Sequence, residues 1–260
     1  MKTTKSLSPS KKAYLAIFLA LLSVTSMAQV ETYPKNSFKI NLSSLALKNY
    51  NFTYERSLAR KVSFVAGYRS MPSTNLGQIS FVNKALDRMD NTSLKDDLDQ
   101  ITTSNKTYTG EFRFYGGKHA GARGIYLSLY GRYSKFNVDY DYAYSTENKD
   151  YAIPISSSLK GLGGGLMIGA QWLIAKRVTF DWYVIGAHYG SLKGDATGIA
   201  DLSSMTNEEK ADLKDDFEGK VSIADKNYFR ADVSNNGITA KPDAPFIGIR
   251  GLGFNLGIAF

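Results

Sequence analysis

The sequence predicts an all-β protein, an eight-stranded antiparallel up-and-down transmembrane β-barrel with long extracellular loops that carry short helices. Two observations predict this fold class. Apolar and polar residues alternate with a period of two along eight segments, and the connections between these segments are alternately short and long, as in outer-membrane barrels. The composition agrees, since 17 Tyr and 14 Phe suit pleated strands and 23 Gly suit their bends.

The alternation predicts lipid-facing apolar residues and lumen-facing polar ones. The eight segments are 38–43, 50–55, 63–69, 108–115, 125–133, 162–172, 178–185 and 246–260. In the seventh segment the period places Val184 on the lipid face and Ile185 on the lumen face. The last segment is the clearest, because its apolar face is continuous to the end. That face consists of Leu252, Phe254, Leu256, Ile258 and Phe260.

The connections support the same topology. With the first strand running outward, we expect short periplasmic turns and long extracellular loops. The predicted periplasmic turns are 57–61, 116–123 and 174–177. The predicted extracellular loops are 71–105, 143–156 and 194–245, and only the first outer connection, 46–49, is brief. An even number of strands returns the C-terminus to the periplasmic side.

The first 28 residues have the pattern of a secretory signal peptide. Four lysines precede the apolar run 13–22, and a small-x-small pattern at 26–28 predicts cleavage between Ala28 and Gln29. Ten apolar residues are too few to span a bilayer, which takes about 20. We therefore expect two parts, a signal peptide at 1–28 and an outer-membrane β-barrel at 29–260. An uncleaved signal anchor is the alternative.

Charge and cysteine content exclude several classes of function. Cleavage would lower the formal charge from +8 to +4, so the basic balance belongs partly to the export signal and we expect no nucleic-acid partner. The sequence contains no cysteine, which excludes disulfides, thiolate metal sites and a thiol nucleophile. Acidic clusters such as 96–99 and 215–218 lack the spacing of a calcium-binding loop, so we expect no metal or other cofactor.

The signal, the eight segments and the terminal GFNLGIAF resemble the small outer-membrane barrels of the outer membrane protein A and X type. Residues 37–69, SFKINLSSLALKNYNFTYERSLARKVSFVAGYR, are similar to a group of such barrels from the Bacteroidetes whose function is uncharacterised. The resemblance implies a Gram-negative outer membrane, contact with its lipids, and insertion by the barrel-assembly machinery. Phe254, Leu256, Ile258 and Phe260 match the C-terminal assembly signal that this machinery reads.

The predicted lumen face collects charged residues. They are Lys39, Glu55, Arg69, Glu111, Arg113, Arg132 and Asp181. The interior of an eight-stranded barrel is just wide enough for side chains to fill, and charges buried there must pair. We therefore interpret these residues as an ionic network that fills the lumen. A proton or ion pathway is the alternative.

Two of the predicted outer loops contain helical patterns. Phe81, Ala85, Leu86 and Met89 recur at helical spacing, and Leu94, Leu98 and Ile101 repeat it. In loop 194–245, Thr206 with Glu209 fits a capping box, and Leu213 with Phe217 lie one helical turn apart. These helices either cover the mouth of the barrel or form a docking surface for another protein.

Catalysis has little support in the sequence. The two histidines, His119 and His188, fall at opposite ends of the predicted barrel, and we expect no catalytic residues. His188 with Ser191 and Asp195 is the one constellation that resembles a lipid-modifying enzyme, with a site at the barrel rim. The leading hypothesis is a non-enzymatic structural component or accessory subunit that binds partners through loops 71–105 and 194–245. The alternatives are a lipid-modifying enzyme and a narrow ion channel.

Overall fold

A computed structural model describes residues 33–89, 92–220, 222–223 and 226–260. The proposed signal peptide, with Ala28 and Gln29 at its cleavage site, lies outside the described residues. Pro34–Phe260 forms one compact unit. Among the described residues, no helix is both long enough and apolar enough to cross a membrane.

Antiparallel strands close into a ring in the described part of the chain. They are β1 Asn36–Asn41, β2 Tyr50–Ala59, β3 Val62–Asn75, β4 Ile101–Tyr115, β5 Gly124–Ser145, β6 Asp150–Ile174, β7 Val178–Ile199 and β12 Gly248–Ala259. Each of β1 to β6 pairs with the next strand, β7 pairs with β12, and β12 pairs with β1. Six of the eight predicted segments lie within these strands, in the predicted order. β1 and β12 cover only part of segments 38–43 and 246–260, because residues 42 and 43 begin a helix and the last strand runs from Gly248 to Ala259.

The two faces of the ring differ in polarity. The outer face exposes many large apolar side chains, including Ile125, Leu127, Leu129, Leu162, Leu166, Ile168, Trp172, Leu256 and Ile258. The inner face buries polar side chains, including Lys39, Glu55, Glu111, Arg113, Gln171 and Asp181. Strand alternation explains the difference, because successive residues point to opposite faces of the sheet.

The strands differ greatly in length, so one side of the ring extends much further than the other. β5, β6 and β7 have 22, 25 and 22 residues, whereas β1 has 6. The prediction of a long loop at 143–156 is therefore wrong. β5 and β6 continue to a tight turn in which Thr146 N donates to Lys149 O over 2.9 Å. We use the term extension for residues 136–145 of β5, 150–159 of β6 and 194–199 of β7, together with the helix and hairpin that pack on them.

The two remaining long connections carry helices, as predicted. They contain α2 Ser80–Met89, α3 Thr92–Asp99 and α4 Asn207–Lys220, while the short α1 Leu42–Leu45 follows β1. The capping box is confirmed, because Glu209 Oε2 accepts from Thr206 N at 2.7 Å and Thr206 Oγ1 accepts from Glu209 N at 3.2 Å. Ile101 begins β4 instead of continuing a helix.

Part of the last predicted loop is a β-sheet. β8 Ser222–Ile223 pairs with β9 Lys226–Asn227, and β10 Phe229–Ser234 forms a hairpin with β11 Gly237–Pro242. β11 pairs with residues 196–199 of β7, beyond the point where β12 leaves that strand. The hairpin therefore widens the extension.

Two neighbouring strands each contain one residue outside the regular pairing. On β7, Ile185 pairs with Ile168 and Tyr183 pairs with Gly169, so Val184 is an extra residue that forms a β-bulge. On β12, Leu252 lies opposite Val184, is also unpaired, and has a left-handed φ of 51°. The alternation shifts at both positions. Ile185 is 58% exposed on the outer face, so its predicted lumen position is wrong.

Candidate functional site

The interior of the ring holds a cluster of charged side chains. The cluster lies near the end of the ring where the connections 60–61, 116–123 and 175–177 are found. Lys39 Nζ lies 2.6 Å from Glu55 Oε2 and 2.9 Å from Asp181 Oδ2. Arg113 Nη1 lies 2.8 Å from the same Asp181 oxygen, and Arg113 Nη2 lies 3.1 Å from Glu111 Oε2. All five side chains are almost completely buried. Because an unpaired buried charge is very unfavourable, each charge in this cluster depends on its partners.

Arg250 of β12 completes the cluster. Its Nη1 lies 2.8 Å from Glu111 Oε1, so the cluster contains three cations and three carboxylates. They are Lys39, Arg113, Arg250, Glu55, Glu111 and Asp181, and we call them the ion-pair cluster. Tyrosine hydroxyls satisfy further carboxylate oxygens, since Tyr115 donates to Glu55 over 2.6 Å and Tyr126 donates to Asp181 over 2.8 Å.

Five of the seven residues predicted to form a lumen network meet in this cluster, and two do not. Arg69 on β3 and Arg132 on β5 lie on the inner face, but nearer the extension. The sequence reasoning missed Arg250, because strict alternation from Leu252 places residue 250 on the outer face. The irregularity at Leu252 reverses that assignment.

Arg69 and Arg132 line a cavity of about 330 Å³. The cavity lies beside the shortest part of the wall, where α1 and the β1–β2 connection contribute Ser43, Ser44 and Leu47. Its other polar lining residues are Asn41, Asn51, Thr53, Thr109, Glu111, Tyr183 and Arg250. This polar cavity and the ion-pair cluster adjoin each other, because Glu111 and Arg250 belong to both.

His188 is not at a rim. β7 continues beyond it to Ile199, and its side chain is buried on the inner face, with Nδ1 3.2 Å from the Tyr130 hydroxyl. Ser191 and Asp195 are exposed on the outer face of the same strand. The structure therefore does not bring the three predicted residues together. His119 is exposed in the β4–β5 connection.

The extension has its own apolar core. Side chains from β5, β6, β7, the β7–α4 connection, α4 and the β10–β11 hairpin form it, namely Tyr142, Tyr151, Ile153, Ile155, Ala196, Leu202, Met205, Leu213, Phe217, Ala231, Ile238 and Ala240. The Tyr142 ring contacts the Phe217 ring edge-on at 5.6 Å, and its hydroxyl donates to Asp216 Oδ2 over 2.6 Å. Burial, together with this hydrogen bond, raises the pKa of Tyr142, so the phenol remains protonated and keeps donating.

An apolar pocket of about 170 Å³ opens on the inner side of the extension. It is lined by Val138, Tyr140, Ile155, Ser157, Leu159, Ala196, Phe217 and Phe229. Val138, Tyr140, Leu159 and Phe229 are only partly buried. Apart from Ser157, the lining of this partly open pocket is apolar.

The residues of the predicted assembly signal lie at the C-terminal end of the ring. Phe254, Leu256, Ile258 and Phe260 are exposed on the outer face of the last strand or just beyond it. Phe260 N donates to Asn36 O over 2.8 Å, which joins the two ends of the ring. Among the described residues there is no group of three or more His, Asp or Glu side chains placed to hold a metal ion.

Comparisons with known proteins give this chain no relative. Scans against protein-family models, curated proteins and solved structures found no match.

Proposed function

We propose that this chain is an eight-stranded β-barrel of a Gram-negative outer membrane, exported by a cleaved signal peptide and resembling the outer membrane protein A and X type. Its interior is closed by the ion-pair cluster, and its extension binds a partner protein outside the cell. One observation carries the membrane assignment, namely the reversal of polarity along the longest strands.

The reversal is clearest on β6. Leu162, Leu166 and Ile168 are exposed on the outer face, whereas Ile153 and Ile155 further along the same strand are buried on the inner face. An apolar outer face suits contact with lipid, and an apolar inner face suits an aqueous surrounding. A strand that changes from one arrangement to the other is expected where it leaves a membrane.

A row of lysines marks that level. Lys106, Lys135, Lys160 and Lys193 lie in direct register on β4, β5, β6 and β7, and all four are exposed on the outer face. Below them, the apolar outer face of β6 runs from Leu162 to Ile174. Twelve steps of about 3.3 Å at a tilt of about 40° rise about 30 Å, close to the thickness of a bilayer core. Lysine chains at this level can extend to lipid headgroups.

The closed interior favours an anchoring role over conduction. The ion-pair cluster joins β1, β2, β4, β7 and β12 by direct contacts across the ring. A narrow ion channel would require these contacts to open. A lipid-modifying site at His188 has less support, because Ser191 and Asp195 face away from that side chain.

The membrane assignment predicts a depth-dependent effect of charge on the outer face of β6. Replacing Leu166 by Arg, near the middle of the apolar face, should lower the free energy of unfolding by about 2–4 kcal/mol. Reversible denaturation of the protein in lipid vesicles, followed by tryptophan fluorescence, measures this quantity. The matched control is Ser158→Arg, which lies on the same face of the same strand beyond the lysine row and should be nearly neutral. Equal effects of the two variants would contradict membrane embedding.

The partner-binding role predicts cross-linking from one face of β5 only. A photoreactive residue at Val138, on the inner face beside the apolar pocket, should form a discrete protein adduct in native membranes. The same residue at the neighbouring Asp139, exposed on the outer face, should not. Mass spectrometry of the adduct identifies the partner. If neither position yields an adduct, the extension does not use this pocket for docking.

A further inference from the structure

The cavity in the ring interior contains two arginines whose charge nothing in the described part of the chain compensates. Neither Arg69 nor Arg132 forms a hydrogen bond or an ion pair with a described residue, and the Nε atoms of both are buried without a partner. Arg132 is only 8% exposed. Guanidinium groups remain charged in proteins, so this region holds two unneutralised positive charges.

The acid in the cavity wall does not neutralise these charges, because it already has its own partners. Glu111 is the one carboxylate among the residues that line the cavity. Both of its oxygens are engaged, Oε1 with Arg250 at 2.8 Å and Oε2 with Arg113 at 3.1 Å. The ion-pair cluster contains equal numbers of cations and carboxylates, so no carboxylate of the cluster is left to neutralise Arg69 and Arg132.

The rest of the cavity wall suits an anion of small-molecule size. Asn51, Thr53 and Thr109 contribute neutral polar groups, and the buried Thr53 Oγ1 has no hydrogen-bond partner. The volume of about 330 Å³ falls in the range of small-molecule pockets. Unpaired buried polar groups of this kind are satisfied when a ligand brings complementary atoms.

We propose that this cavity binds a phosphate monoester group, held by the guanidinium groups of Arg69 and Arg132. A phosphate monoester carries a charge of about −1.5 to −2 at neutral pH and so matches the two excess positive charges, which a single carboxylate does not. Arginine also presents parallel N–H donors that fit phosphate oxygens in pairs. The group comes either from a small soluble phosphate ester or from a lipid headgroup that reaches the cavity over the short wall of the ring.

Calorimetric titration of the full-length mature protein in a non-ionic detergent tests the proposal. The probes are glycerol 3-phosphate, with glycerol as its uncharged counterpart, and phosphatidic acid in mixed micelles. We expect one phosphate probe to bind and glycerol not to bind. Arg69→Gln and Arg132→Gln should each weaken binding at least tenfold, whereas Lys106→Gln, on the outer face, should change it less than twofold.

The variants also separate binding from folding. Because each replacement removes an uncompensated charge, both should melt in phosphate-free buffer at the same temperature as the wild type or higher, and both should lose the rise in melting temperature that the probe gives the wild type. Binding of glycerol 3-phosphate identifies a soluble ester as the source, and binding of phosphatidic acid alone identifies a lipid headgroup. No binding of either probe, or unchanged binding in both arginine variants, would overturn the proposal.

Discussion

Replacing Asp181 by Asn should lower the free energy of unfolding by about 3–5 kcal/mol, the usual effect of removing one partner from a buried ionic network. Asp181 accepts from Lys39 at 2.9 Å, from Arg113 at 2.8 Å, from Tyr126 at 2.8 Å and from Asn255 at 3.2 Å. Asparagine has nearly the same shape, so the expected loss comes from charge and hydrogen bonding and not from a cavity. Denaturant titration followed by the fluorescence of the two tryptophans measures it.

The control is Asp141→Asn on the outer face of β5, where the carboxylate is exposed and the expected change is under about 0.5 kcal/mol. A double variant adds a sharper test. Lys39→Met combined with Asp181→Asn removes one charge of each sign, so it should destabilise the protein by less than the sum of the two single changes. Additive losses, or an Asp181→Asn effect as small as that of the control, would show that the cluster is not a coupled network.

Replacing Phe217 by Ala should remove about 3–5 kcal/mol of stability from the extension while leaving the rest of the ring folded. Phe217 is buried in the extension core, and its ring contacts Tyr142 at 5.6 Å. It does not contribute to the ion-pair cluster or to the outer apolar face. Hydrogen exchange should therefore show lost protection in α4 and the β10–β11 hairpin, with unchanged protection in the paired segments of β5 and β6 below the lysine row.

Asp215→Ala is the matched control, because residue 215 is exposed on the same helix. Its amide exchange should equal that of the wild type. If Phe217→Ala instead exposes all strands together, the extension and the ring unfold as one unit. That result would weaken the view that the extension is a separate binding module on a stable anchor.

The period-two alternation predicted the strands of the ring because each faces two different environments along most of its length. It also predicted which charges point inward, since Lys39, Glu55 and Asp181 lie in regular stretches of strand. The same rule missed the extension. In the extension the apolar residues, such as Ile153 and Ile155, occupy the inner face. The prediction required apolar residues on the outer face, so it assigned this part of the strand to a loop.

The interior site was only partly predictable for a different reason. The sequence reasoning placed Ile185 on the wrong face and omitted Arg250. These residues lie one and two positions from the irregular residues Val184 and Leu252. Nothing in the local composition marks Val184 or Leu252 as extra residues, and a single extra residue reverses every assignment beyond it. The pairing of β7 with β6 and β12 shows that these residues are extra. The alternation along a single strand does not contain that information.

Val184 and Leu252 also bear on how the length of this chain can change. Removing one residue from a regular strand normally turns all later side chains to the other face. Here the side chains on both sides of these positions already follow a single regular alternation once the two residues are left out. Shortening both strands together at these positions would therefore keep Arg250 and His188 inside the ring. The two positions are therefore places where one residue can be removed from each strand without changing which side chains the interior contains.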